Sequence, residues 1–308
     1  MSADQAKLAV CHALRSPAVA GFVRAAVHAG YQEFFTDHLP AAHALVEEAF
    51  DRLAASQQPA PDPAGLTQVT QALLRDSFHK ADGAFWFNAQ YQRYKTVLKP
   101  ETDFQQLPAL IAGRRVLDYG CGSGYLAARL ARGGYAVYTT DVLDYRYPEA
   151  RALPFVQMAT PTDIGYPDDS VDTALIQAVL HHIAPAELEA VVRRLARVAR
   201  RLVIKEDTYG VPADLAGLQA QQPLLRTFLA LPAEAQFQAL VLIDYYANAV
   251  AQGLPEMHMP FAFKTVGEWQ NWLAAAGLNV VQTRLAGFEP GRLHKSCHVW
   301  FVCERPAP

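Results

Sequence analysis

The stretch Val116-Leu117-Asp118-Tyr119-Gly120-Cys121-Gly122-Ser123-Gly124-Tyr125 constrains the fold of this chain more than any other. It reads as a buried strand ending near a carboxylate, then a turn with glycine at alternate positions, then a helix over 126–131. Glycine removes side chains from such a turn, so a ligand can lie against bare backbone. The helix behind the turn presents free backbone N–H groups to whatever sits there.

Strand and helix alternate from residue 113 to about 207, the pattern of a parallel sheet. A second strand over 136–140 ends at Asp141, and a short third covers 155–157. The fourth, 173–176, is followed by 177–183 and a helix over 185–200. The fifth, 201–205, ends at Glu206 and Asp207. Two late strands, 279–285 and 298–303, read as an antiparallel hairpin.

Outside this region the periodicity is helical. Residues 6–14, 17–29, 41–55 and 66–77 repeat apolar positions every three or four residues, and Ser16-Pro17 is a capped helix entry. Residues 210–260 form a helical insertion, with helices expected over 215–231 and 234–251. The expected organisation is a helical cap over 1–100, then a domain over 101–308 interrupted by the insertion. The expected class is α/β, with a mostly parallel seven-stranded sheet whose last strand is antiparallel.

Composition narrows the partners. Net charge is −3 and no block of like charges occurs, so no bulk nucleic-acid footprint is present. Arg193, Arg194, Arg197, Arg200 and Arg201 have helical spacing and read as a solvated face. The four cysteines, Cys11, Cys121, Cys297 and Cys303, show no zinc spacing, so free thiols, no metal and a cytoplasmic setting are expected. No run approaches the roughly 20 apolar residues that span a bilayer.

A dinucleotide fingerprint would need glycine at position 125, which is Tyr125. The segment instead resembles the first motif of the class I S-adenosylmethionine (SAM) methyltransferases, which have a Rossmann-like fold. Asp141, the run Pro167-Asp168-Asp169-Ser170-Val171-Asp172 and Leu180-His181-His182-Ile183 follow in that family's order. The likeness covers about 100–207 well and 260–305 more loosely. It implies S-adenosyl-L-methionine as cofactor. Gly120, Cys121, Gly122 and Gly124 would line its methionine and ribose, and Asp118 its amino group. Asp141 would accept from the ribose hydroxyls, and Val142 and Leu143 would flank adenine. The adenine amino group usually meets a polar residue before the fourth strand, here Asp163 with Ile164 beside it.

Methyl transfer needs alignment more than acid–base chemistry, so no triad is expected. Gln177 could orient the cofactor or the acceptor, and His181 could serve as a base. Glu206 or Asp207 could touch substrate at the carboxyl edge of the sheet. In the aromatic segment 81–95, Tyr91, Tyr94 or Lys95 could reach the methionine end. Tyr245, Tyr246, His258 and Met259 could roof the pocket. Gln177-Ala178-Val179-Leu180 departs from the Asn-Pro-Pro-Tyr of members that methylate amide or base nitrogens. That departure weighs against nucleic-acid and protein-glutamine acceptors, and an enclosing helical cap without strong overall charge favours a small-molecule acceptor, of secondary metabolism. Two rivals stand: transfer or cyclisation of the aminocarboxypropyl arm with release of methylthioadenosine, as in nicotianamine and azetidine-carboxylate synthases, and a SAM-binding partner without turnover. Oligomeric state is left open.

Overall fold

The computed structural model describes residues 2–80, 85–212, 215, 217, 221–257 and 259–306. Residues 81–84 of the aromatic segment, and His258, lie outside the described residues. The chain divides into two units. One is helical and comprises 1–94, 208–263 and 287–297; the other holds the sheet and comprises 95–207, 264–286 and 298–308.

In the helical unit, α1 (Ala3–Arg15), α2 (Pro17–Phe34), α3 (Leu39–Ala55), α4 (Pro63–Leu73) and α5 (Trp86–Arg93) precede the sheet in sequence. Ser2 and Gln5 close a capping box on α1. Pro17 opens α2 as expected, but the Ser16 side chain makes no capping bond. The apolar stripes of these helices meet in an aromatic core. Phe78 meets Phe87 edge-on at 5.1 Å, and Phe87 stacks on Tyr91 at 5.5 Å.

The sheet unit begins with α6 (Lys99–Gln106), β1 (Arg115–Tyr119), α7 (Tyr125–Arg132), β2 (Ala136–Asp141) and β3 (Phe155–Gln157). It continues with β4 (Val171–Gln177), α8 (Pro185–Val198) and β5 (Ala199–Tyr209). The insertion then gives α9 (Pro223–Leu229) and α10 (Ala233–Tyr245) to the helical unit. The sheet unit closes with β6 (Lys264–Thr265), α11 (Val266–Ala275), β7 (Asn279–Gly287) and β8 (His298–Glu304).

The strand order is β3-β2-β1-β4-β5-β8-β7, with the two-residue β6 paired to β5 off this path. Strands β1 to β5 pair in parallel and β8 joins β5 antiparallel. The seven-stranded path therefore stands, with one short strand added.

β5 runs well past its expected end because β8 pairs with it as far as Asp207 opposite His298. At its other end β5 begins at Ala199, so Arg200, expected as the last residue of the helix, lies on the strand with Arg201. The loop of the terminal hairpin, 287–297, belongs to the helical unit.

Val116, Val137, Leu175, Val203, Trp300 and Val302 pack on one face of the sheet with Leu107, Leu130 and Ala127. Side chains alternate along a strand. That face therefore also carries Asp118, Asp141, Gln177, Asp207 and His298, all at or next to their strand ends except Asp207, which lies two residues before the end of β5.

Candidate active site

The glycine turn is held by backbone. Gly120 and Cys121 both donate to the Thr140 carbonyl, at 2.9 and 3.1 Å, and Gly124 donates to Cys121 at 2.9 Å. Gly120 and Gly124 have φ of +69° and +76°. A Cβ at Gly120 would lie 2.7 Å from Val179, and one at Gly124 would lie 2.5 Å from the Ala150 methyl. Backbone angle and close neighbours both demand glycine here. At these two positions the bare backbone makes room for the protein itself.

Asp141 closes the turn from β2. Its Oδ2 accepts from Gly122 N at 2.8 Å and its Oδ1 from Leu143 N at 3.3 Å. A carboxylate offers about four acceptor positions, so two remain for a ligand. Beyond it Val142 and Leu143 are exposed (43% and 61%). Tyr145 is exposed too, and its hydroxyl would stand 3.1 Å from a Cβ at Gly122. Sequence reasoning passed over Tyr145, which carries no motif signal. Although the residue as a whole is half exposed, desolvation of its phenol pushes the pKa up to about 12, and Asp141 and Cys121 push the same way.

Asp118 is 5% exposed, and no protein donor reaches its carboxylate. Burial pushes its pKa up to about 7; Lys99 draws it back, and Asp141 and Asp103 push it further up. An unfolded aspartate titrates near about 4. Between about pH 4 and 7 the folded state thus holds a proton that the unfolded chain has lost, so stability falls as pH rises through that window. Wild type should lose about 2–3 kcal/mol between pH 5 and 7 relative to Asp118→Asn. Urea denaturation of both proteins at the two pH values measures this. Parallel pH dependence in the two would refute it.

Asp163 is exposed and accepts from Thr160 N at 3.2 Å within its own loop. Ile164 is fully buried, so it presents no surface to a ligand in this conformation.

The turn after β4 is the most constrained part of the site. Gln177 ends the strand, and its Nε2 is buried with no hydrogen-bond partner. Ala178 follows with φ of +53°, a strained angle for a residue with a Cβ. Glu206, fully buried on β5, holds the next three residues. Its Oε1 accepts from Val179 N at 3.0 Å and Leu180 N at 2.7 Å, and its Oε2 lies 2.6 Å from His181 Nδ1. This corrects the expectation that Glu206 meets a substrate: both oxygens are committed to the turn. His181, 1% exposed, is clamped by the same carboxylate.

Tyr91 and Tyr94 belong to the helical unit. The Tyr91 hydroxyl lies 3.3 Å from His294 Nε2, and Tyr94 meets Phe34 edge-on at 4.8 Å. Burial pushes the Tyr91 phenol well above its ordinary value. Lys95 opens the sheet unit, and burial lowers its pKa. Tyr245 and Tyr246 lie in the helical unit, bonded to Thr70 and Tyr31 at 2.6 and 3.1 Å.

Residues 117–202, which include the glycine turn, Asp141 and the clamped turn, match the family model described as "Methyltransferase domain". Over these residues the chain carries a methyltransferase domain, in keeping with its resemblance to the class I S-adenosylmethionine-dependent methyltransferases. Uncharacterized methyltransferases of Mycobacterium bovis and Mycobacterium tuberculosis are each 35% identical over 133 residues, which cover 41% of this chain and 50% of theirs. The chain thus spans about half the length of the curated relatives it matches. Among solved structures, a SAM-dependent methyltransferase of Thermotoga maritima, titled a possible histamine N-methyltransferase, is 13% identical. Its TM-score is 0.46, over 71% of this chain and 97% of that one. A SAM-dependent methyltransferase of Methanosarcina mazei is 17% identical with TM-score 0.45, over 66% and 98%.

The cofactor of this domain class is S-adenosylmethionine. The chemistry at the carboxyl edge suits it: an acid without a donor at Asp118, free acceptor positions on Asp141 and an orphaned amide at Gln177. Among the described residues, no helix is long and apolar enough to cross a membrane.

Proposed function

We propose that this protein transfers the methyl group of S-adenosylmethionine to a small molecule, as a step in biosynthesis. The observation that carries the reading is the orphaned Gln177 amide at the carboxyl edge of the sheet that also bears the glycine turn and Asp141. When bound, S-adenosylmethionine supplies a sulfonium-activated methyl. The protein's part is then to bind, align and exclude water.

The residues divide that work. Asp141 takes the ribose hydroxyls, Asp118 the amino group of the methionine end, and Val142, Leu143 and Tyr145 cover the adenine. Glu206 and the strained Ala178 hold Gln177 at the strand end, where its amide points at the reacting groups. Asp163 borders the adenine side, and Cys121 lines the turn. The absence of a basic block, and Gln177-Ala178-Val179-Leu180 after β4, support a small acceptor over nucleic acid or protein.

The test is the nucleoside product. The protein is incubated with S-adenosylmethionine, alone and with small-molecule nucleophiles, and the nucleoside is identified by mass spectrometry. S-adenosylhomocysteine that appears only with an acceptor is the expected result. Methylthioadenosine would overturn the reading in favour of aminocarboxypropyl chemistry. Tight binding with neither product would leave a binding partner without turnover.

A further inference from the structure

Among the buried polar atoms of the sheet unit that have no hydrogen-bond partner, two on neighbouring strands are opposite in kind. Gln177 Nε2, at the end of β4, is a donor; Asp207 Oδ1, on β5, is an acceptor. Asp207 is only 7% exposed. His298 Nε2 lies 3.7 Å from Oδ1, and His181 Nδ1 lies 3.8 Å from Oδ2, both beyond hydrogen-bond distance.

The two atoms belong to one place in the fold. Gln177 is registered opposite Lys205, and Asp207 follows Lys205 by two positions. Strand alternation puts all three on one face of the sheet. Strand spacing separates the Gln177 and Asp207 backbones by about 8 Å, within the span of two long side chains and a small ligand.

Burying an unpartnered donor is unfavourable, and burying an unpartnered carboxylate more so. A ligand that satisfies both must offer an acceptor to the amide and an N–H or O–H to the carboxylate.

We propose that Gln177 and Asp207 form the acceptor subsite, taking a small molecule whose nucleophilic N–H or O–H faces Asp207 and whose neighbouring oxygen faces Gln177. The proposal rests on the methyl-transfer reading above. As the bond from the acceptor's nitrogen or oxygen to the methyl carbon forms, the carbon–sulfur bond breaks and its electron pair stays on sulfur. The proton of the acceptor passes to Asp207. The sulfonium thus loses its positive charge as the carboxylate loses its negative one, and no net charge is left behind. His181, His298 and Lys205 are the other ionisable groups of the sheet unit facing Asp207.

Asp207→Asn, Asp207→Glu and Gln177→Leu test this with three measurements. The first is melting of the ligand-free protein. If Asp207 is kept for function, Asp207→Asn should melt roughly 2–4 °C higher, because it removes a buried charge that has no hydrogen bond at Oδ1 and only long contacts to His181 and His298. The second is calorimetry with S-adenosylhomocysteine, expected to stay within about threefold of wild type. The third is product analysis with catechol, 2-aminophenol and salicylamide, and with 1,2-dimethoxybenzene as a probe lacking the proton. Only proton-bearing probes should be methylated. Asp207→Asn should lower kcat about 100-fold or more, Asp207→Glu should recover part of it, and Gln177→Leu should raise KM.

A lower melting temperature for Asp207→Asn would overturn the proposal, since it would make Asp207 structural. So would a loss of S-adenosylhomocysteine affinity as large as the loss of turnover, which would assign the pair to the cofactor. Unchanged turnover would overturn it as well. If no probe turns over, the melting and calorimetry arms decide. Methylthioadenosine as product would sink the methyl-transfer reading instead.

Discussion

Asp141→Ala is expected to abolish S-adenosylmethionine binding. The carboxylate is proposed to accept two ribose hydroxyl bonds, each to a charged group and worth about 1.5–3 kcal/mol. Their combined loss corresponds to a fall in affinity of about 100-fold or more. A second effect adds to the first. Asp141 Oδ2 holds Gly122 N at 2.8 Å, so its removal also loosens the turn that the cofactor would lie against. Asp141→Asn should fall between the two, since it keeps one acceptor oxygen. Calorimetry on the three proteins, with circular dichroism to show that the fold persists, gives the answer. An affinity for Asp141→Ala within about threefold of wild type would undo the assignment of β2 as the ribose strand.

The second large effect is expected at Glu206. Alanine there would leave Val179 N, Leu180 N and His181 Nδ1 without the acceptor that now binds all three. Each buried group left unsatisfied costs about 1–3 kcal/mol. A total of 3 kcal/mol or more should lower the melting temperature by about 6–12 °C in a domain of this size. Glu206→Gln should cost far less. Its oxygen can keep both backbone donors, and its amide would then face His181 Nδ1, which must change from donor to acceptor. Nitrogen NMR of the histidine rings should therefore show a changed His181 tautomer in Glu206→Gln within a nearly native fold. Equal melting losses in the two variants would mean that the three hydrogen bonds are not what Glu206 contributes.

The two cases show where sequence reading reaches its limit. The place of Asp141 was legible because it depends on local order: a strand, its end and a carboxylate there. Glu206 was placed at the right strand end but facing the wrong way. The reason is the length of β5. Read as ending at 205, the strand leaves Glu206 in a loop at the ligand edge. Paired with β8 as far as His298, it carries Glu206 into the interior beneath the turn after β4. A pairing set by residues nearly a hundred positions later leaves no local mark in the sequence near Glu206. Alternation counted from Val203 would have put Asp207 on the face of Gln177, but only once β5 was known to extend that far.

The glycine turn shows the same division. Alternate glycines after an apolar strand announced a βαβ nucleotide-type fold, because few other residues accept those backbone angles. The absence of glycine at 125 turned the reading from a dinucleotide to S-adenosylmethionine. The purpose of the individual glycines was not legible. Gly120 and Gly124 are glycine because Val179 and Ala150 occupy the space of a Cβ, and both neighbours arrive from other elements. By itself, then, the sequence determined the class of fold, the succession of strands along the chain as far as β5 and, through its family resemblance, the kind of cofactor, since these follow from periodicity and short-range motifs. Only the tertiary structure decided which acids face the ligand edge and which serve the interior, because that depends on strand pairing across distant parts of the chain and on burial that only a packed core creates.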